Sequence, residues 1–144
     1  MKPCLADLNF LIPVVITTHH QHATALHWYR QQPAGGIGMC RVVQLGMIRL
    51  LGNSRIMQDK ALPARAAWDL TTELLKDERL EFWNEPPGLD DQLRPLFHYP
   101  VPTPSLVGDA YLAAFAITRN VNLVTFDSGF QQFDKLSLEL LNIP

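Results

Sequence analysis

Cysteine is scarce in this 144-residue chain, with only Cys4 and Cys40 present. Each sits in a short apolar stretch without paired spacing, which excludes a disulfide framework and a cysteine zinc site and predicts buried free thiols in a reducing compartment. Charge is scarce as well: Asp, Glu, Lys and Arg make up 18% of residues and the formal net charge is -2. No broad positive field can coat a polyanion, so any contact with nucleic acid has to be local. Long apolar runs are missing too. The stretch Leu8 to Ile16 behind Lys2 looks like a signal-peptide core, but Asp7 interrupts its front, Pro13 its middle, and no small-residue cleavage site follows. Nothing reaches the roughly 20 residues of a membrane span. The expectation is a cytoplasmic protein with no membrane partner.

What is present is an ordinary globular composition, 47% hydrophobic with a mean hydropathy of +0.00. Length and composition predict a single domain over residues 1–144. No internal repeat or low-complexity segment breaks it. Cys4 to Leu8 reads as a buried parallel strand with a carboxylate near its carboxyl end, followed by a short helical turn over Asn9 to Pro13. The spacing of Ala23, Leu26, Trp28 and Tyr29 predicts a helix over His19 to Gln32, stopped by Pro33 and Gly35-Gly36. Ile37 to Cys40 reads as a second strand and Val42 to Leu51 as a helix ended by Gly52-Asn53. A helix opening at Pro63 repeats Ala66, Ala67, Leu70, Leu74 and Leu75 on one side. Arg79 to Trp83 is a third strand, Leu89 to Phe97 a short helix, and Pro100 to Pro104 a proline-punctuated loop. Thr103-Pro104 then caps a helix running to Arg119 or Asn120. Asn122 to Phe126 is a fourth strand and Leu138 to Leu141 a short fifth at an edge. The alternation implies an α/β fold, a mostly parallel central sheet with helices on both faces.

In such sheets the ligand site forms beyond the carboxyl ends of strands, where strand order reverses. Asp7 and Asp127 both end apolar strands and meet if the first and fourth strands are neighbours. Asp109 lies in the second turn of its helix, and Ala113 and Ala116 on the same stripe let that helix press against the sheet. The competing reading of Asp109 is an exposed acid favoured by the helix dipole. Two carboxylates about 4 Å apart repel by roughly 4 kcal/mol at an effective dielectric of about 20, so convergence needs a counter-ion. An oxygen-only donor set favours Mg²⁺, with Mn²⁺ as a substitute, over Zn²⁺. Such a site suits phosphodiester hydrolysis by metal-activated water.

At these residues the chain resembles a known family. Leu5-Ala6-Asp7-Leu8-Asn9, Cys40-Arg41-Val42-Val43-Gln44-Leu45-Gly46 through Arg49-Leu50-Leu51, Asp109-Ala110-Tyr111-Leu112-Ala113-Ala114, and Leu123-Val124-Thr125-Phe126-Asp127-Ser128-Gly129-Phe130 resemble the successive motifs of VapC-like PIN domains. The resemblance implies a three-layer α/β/α fold with strand order 3-2-1-4-5. It also implies Mg²⁺-dependent endoribonuclease activity, a homodimer, and a cognate antitoxin. It makes Asp7, Asp109 and Asp127 the catalytic and metal-site acids. The family's further glutamate falls at Gln44, whose amide oxygen accepts a hydrogen bond but carries no charge. That loss weakens a second-metal site more than a one-metal site.

Asn9 and Thr125 are accessory candidates, Asn9 bracing Asp7 and Thr125 orienting water or phosphate, beside the plainer reading of local turn capping. Arg41, Arg49 and Arg119 are candidates for RNA phosphate contact, with solvated surface charge as the alternative. His19, His20, His22 and His27 invite a zinc reading, but the five-residue step from His22 to His27 turns them to different helical sides, which favours surface or capping roles. Aromatics such as Trp28, Trp68 and Trp83, at helix and strand spacing, fit core or dimer contacts better than base stacking. Two further functions compete with a nuclease. One is a PIN-like protein that binds RNA or an antitoxin without cutting, its site degraded at Gln44. The other is a phosphoryl-transfer domain of receiver or haloacid-dehalogenase type. Against the latter, no second aspartate stands two residues after Asp7 and no lysine follows the fourth strand.

Overall fold

The computed structural model describes residues 2–98 and 104–142. Five strands, β1 (Cys4–Ala6), β2 (Ile37–Met39), β3 (Leu80–Phe82), β4 (Asn122–Thr125) and β5 (Leu138–Leu140), form one sheet in the order β3-β2-β1-β4-β5. Every pairing is parallel. The chain steps outward from β1 to β3 and then crosses back to β4, so the order reverses between β1 and β4. Right-handed crossovers on either side of that reversal place helices on opposite faces of the sheet. Helices α1 (Leu8–Val15), α2 (His22–Arg30), α3 (Arg41–Leu51), α4 (Ser54–Met57) and α5 (Ala64–Leu74) make up the crossovers before β3, whereas α6 (Leu89–Leu93) and α7 (Pro104–Arg119) form the one after it. The expected strand order and layering are those observed.

Burial on both faces explains why β1 and β4 read as continuous apolar runs: Leu5, Ala6, Leu123 and Val124 are all fully buried. At β2 the crowding is tighter. A Cβ on Gly38 would stand 2.0 Å from the Trp83 ring, so only glycine lets the indole lie flat on that strand. Arg119, at the carboxyl end of α7, lies over the indole ring at 4.0 Å. Phe10 and Trp28 meet edge to face at 5.2 Å and join α1 to α2.

Several boundaries differ from the sequence expectation. The first strand stops at Ala6, and Asp7 is the N-cap of α1 rather than a strand residue, its Oδ1 accepting the Leu8 N–H at 2.7 Å. Helix α1 is longer than a turn and carries Pro13 inside it. An internal proline costs about 3 kcal/mol. Burial of Phe10, Leu11, Ile12 and Val14, at roughly 1.5–3 kcal/mol for each large side chain, outweighs that cost. Helix α2 starts at His22, not His19, because residues 17–21 turn: His19 N–H reaches Ile16 O, and His22 N–H reaches His19 O. Asn53 does not only end α3. Its side chain caps the unforeseen α4 by accepting the Arg55 N–H at 2.9 Å. The expected cap at Thr103 and most of the Pro100 to Pro104 loop lie outside the described residues. Cys4 and Cys40 are free and buried, and burial, followed by the charge of Glu139, pushes the Cys4 thiol up to about 12.

Candidate active site

The register of β1 on β4 pairs Ala6 with Val124, and the next backbone bond, Asp7 N–H to Val124 O at 3.1 Å, sets Asp7 beside Thr125. Two residues further on, Asp127 begins a 3₁₀ turn, Ser128–Gln132, its Oδ1 accepting the Gly129 N–H at 2.8 Å. Asp109 arrives from the opposite side. Its helical neighbours Ala110, Ala113 and Ala116 are fully buried against the sheet, and their small side chains hold α7 close enough for Asp109 to face the strand ends. All three acids line one pocket of about 320 Å³, together with Asn9, His19, Gln21 and Leu50. The convergence read from the sequence is present.

Electrostatics within the pocket are unfavourable for free carboxylates. Asp7 is 8% exposed, and burial pushes its carboxyl up to about 6 against the lowering effect of the Thr125 hydroxyl and the Leu8 N–H, with the charges of Asp109 and Asp127 raising it further. Asp109 is raised as well, first by burial and then by the charge of Asp127. Thr125 joins the cluster. Its fully buried hydroxyl donates to Asp7 Oδ2 at 2.8 Å and accepts from the Asp127 N–H at 3.0 Å. One hydroxyl thus ties the loop after β1 to the loop after β4.

Asn9 differs from its expected role. Its Oδ1 accepts from Phe126 N–H at 3.1 Å and lies 3.0 Å from the Thr125 hydroxyl, so it braces the turn after β4 and not Asp7 itself. The helix turn from Asp7 as N-cap points Asn9 across to the neighbouring strand end. Gln44 is buried but stands away from the acids: it accepts from the Arg41 guanidinium and donates to Thr71 Oγ1 at 3.3 Å. It does not line the acidic pocket. Arg41 also lies over the Phe82 ring at 4.5 Å, which commits its guanidinium to protein partners. Arg119 cannot border the pocket, because ten residues of helix, about 15 Å, separate it from Asp109, and it stacks on Trp83. Arg49 is exposed in the last turn of α3, adjacent to the pocket residue Leu50. Among the histidines, His22 Nδ1 bonds Pro13 O at 2.7 Å and ties α2 to α1, while His27 Nε2 meets the Gln31 amide at 3.3 Å. His19 and Gln21 in the pocket wall were not foreseen. A histidine in a loop carries no signal of what it faces.

A larger cleft of about 600 Å³ adjoins the pocket, between residues 15–19 and the segment around Met57 to Leu62. Its walls are mainly apolar, and the clustered carboxylates belong to the smaller pocket. Among the described residues no three His, Cys, Asp or Glu side chains stand close enough to form a ready-made cation cage. The donor set nevertheless fits a hard divalent ion: carboxylate oxygens only, mutually repelling, each with lone pairs beyond those used internally, and pocket space for the several waters that Mg²⁺ retains.

The PIN-domain family profile matches residues 4–136. The chain belongs to the PIN-domain family. Ribonuclease VapC41 of Mycobacterium tuberculosis is 34% identical over 142 residues, covering 95% of this chain and 97% of that protein. Ribonuclease VapC37 of the same organism is 28% identical over 132 residues, covering 90% and 91%. The PIN fold is shared with VapBC2 of Rickettsia felis, solved with a promoter DNA fragment, at a TM-score of 0.66 and 15% identity over 96% of this chain and 98% of that one. It is shared equally with VapC20 of M. tuberculosis, a toxin that cleaves the sarcin-ricin loop, at a TM-score of 0.66 and 15% identity over 91% and 95%. Among the described residues no helix of this PIN domain is long and apolar enough to cross a membrane.

Proposed function

We propose that this VapC-like PIN domain, acting as one unit over its 144 residues, is a Mg²⁺-dependent endoribonuclease and the toxin of a cytoplasmic toxin-antitoxin module. The observation that carries the reading is the convergence of Asp7, Asp109 and Asp127 on one pocket at the point where strand order reverses. A bound Mg²⁺, or Mn²⁺ in its place, would polarise the phosphodiester and lower the pKa of the attacking water. Asp7 and Asp127 would hold the ion, and Asp109 would ligate it or orient a water bound to it. Thr125 fixes the Asp7 carboxylate by donating to Oδ2, and a hydrogen bond to the charged form favours ionisation. The curated relatives are ribonucleases and structural neighbours include VapBC complexes, which supports RNA as substrate and a small antitoxin as partner. Exposed Val42 and Leu45 on α3 and Trp68 on the adjacent α5 support a homodimer contact.

A second reading rests on Gln44. With a neutral amide engaged by Arg41 and Thr71, the chain lacks the family's additional acid, and a binding protein without turnover would show the same fold. Incubating defined RNAs with and without Mg²⁺ separates the two. The nuclease reading expects Mg²⁺-dependent cleavage that Asp7→Asn abolishes while the fold survives. Stoichiometric RNA binding with no cleavage, or full activity in the variant, would overturn it.

A further inference from the structure

His19 is, among the described residues, the one side chain shared by the wall of the acidic pocket and that of the adjoining cleft. A chain leaving the acids toward the cleft passes this residue. Its imidazole is oriented twice over. Nδ1 accepts the Gln21 N–H at 3.0 Å, and the ring stacks on His20 with centroids 4.7 Å apart and planes at 17°. Because Nδ1 faces a donor, a neutral ring carries its proton on Nε2, leaving one N–H without a role in that contact. Burial and the neighbouring His20 and His22 lower its pKa and so favour that neutral form.

Cationic donors are what the pocket lacks. Among the described residues no arginine or lysine lines it, its three aspartates only accept when ionised, and beside His19 its side-chain donors are the neutral amides of Asn9 and Gln21. Arg41 is engaged by Gln44 and Phe82, and Arg119 by Trp83. A phosphate entering this wall needs an N–H that costs little to orient, and His19 holds one in place.

We propose that His19 is a substrate-contact residue whose Nε2–H donates to a non-bridging oxygen of the RNA phosphate flanking the scissile one, guiding the strand from the acids into the cleft. The proposal rests on the nuclease reading for its substrate. Its test therefore carries a binding arm that does not need turnover.

The probe is a fluorescently labelled single-stranded oligoribonucleotide of mixed sequence, its affinity measured in Ca²⁺ and its cleavage in Mg²⁺. His19→Phe keeps a ring against His20 without the N–H, and His19→Gln restores a donor near the Nε2 position. Loss of one hydrogen bond to a charged group predicts that His19→Phe raises both Kd and KM by about tenfold or more, with kcat changed by less than about threefold, and that His19→Gln recovers most of the loss. A purely structural role would lower the Tm of both variants and show no rescue. Unchanged Kd and KM in folded His19→Phe, or failure of His19→Gln to rescue, overturns the proposal while wild-type cleavage leaves the nuclease reading standing. Wild-type binding that depends on His19 without any cleavage supports the contact and sinks the nuclease instead. A wild-type protein that neither binds nor cuts the probe removes both.

Discussion

Replacing Asp7 with asparagine tests the charge balance of the pocket through stability, independently of any RNA. In the metal-free protein the Asp7 carboxyl is raised from 3.8 to about 6, chiefly by burial. Between those values the folded protein binds a proton that the unfolded chain has released, so stability falls as pH rises through the window and the full cost is present above about pH 6. The shift corresponds to about 3 kcal/mol at 1.36 kcal/mol per unit. Asparagine removes the charge and keeps the contacts. Its Oδ1 still accepts the Leu8 N–H, its Nδ2 can donate to Thr125 Oγ1, and the Thr125 proton turns to Asn9 Oδ1, already at 3.0 Å. With EDTA at pH 8, Asp7→Asn is therefore expected to be more stable than wild type by about 3 kcal/mol, or about 10 °C in Tm for a domain of this size. At pH 4 the advantage shrinks to under about 1 kcal/mol. Added Mg²⁺ narrows the gap at pH 8, because it binds and stabilises wild type more than the variant. Urea and thermal unfolding at the two pH values, with and without Mg²⁺, measure all three effects. A variant no more stable than wild type at pH 8 without metal, or an advantage independent of pH, would refute the claim that Asp7 is a desolvated carboxylate awaiting a cation.

Thr125→Val removes the hydroxyl between Asp7 Oδ2 and the Asp127 N–H; the expected loss is about 1–3 kcal/mol in urea unfolding, and Thr125→Ser should restore most of it. Gln44→Glu is expected to give no gain of RNA cleavage, since that side chain points to Arg41 and Thr71 rather than into the pocket; a clear gain in a Mg²⁺ cleavage assay would show that α3 repositions in solution. Arg119→Ala should leave RNA affinity unchanged and cost about 0.5–1 kcal/mol of stability from the lost stacking on Trp83. A weakened RNA affinity in that variant would return Arg119 to the binding surface. Gly38→Ala should destabilise by more than about 3 kcal/mol or prevent soluble expression, because its Cβ would stand 2.0 Å from buried indole atoms.

The elements were legible where side-chain periodicity and punctuation agreed. The apolar runs ending at Asp7 and Asp127, the alanine stripe below Asp109, and the glycine and proline stops each carry a local physical cause, and the motif order carried the topology through family resemblance. Pro13 misled the reading of α1, since local propensity penalises an internal proline while tertiary burial of Phe10, Leu11 and Ile12 overrides it. Residues 17–21 misled the reading of α2, because the turn is held by two backbone bonds and by His19 Nδ1 accepting the Gln21 N–H, and none of these leaves a compositional mark.

By itself the sequence determined the fold class, the family, the two carboxylates that follow strands, Asp7 and Asp127, and the one on a small-residue helix stripe, Asp109, since those depend on local pattern and chain order. Tertiary structure alone decided where the polar side chains are aimed. Thr125 became the bridge between two acids, Asn9 a brace for the turn after β4, Gln44 a partner of Thr71, Arg119 a cover for Trp83, and His19 a wall of the pocket. A short polar side chain bonds whatever acceptor or donor the fold brings within about 3 Å. That neighbour is set by strand register and helix packing, not by adjacent residues.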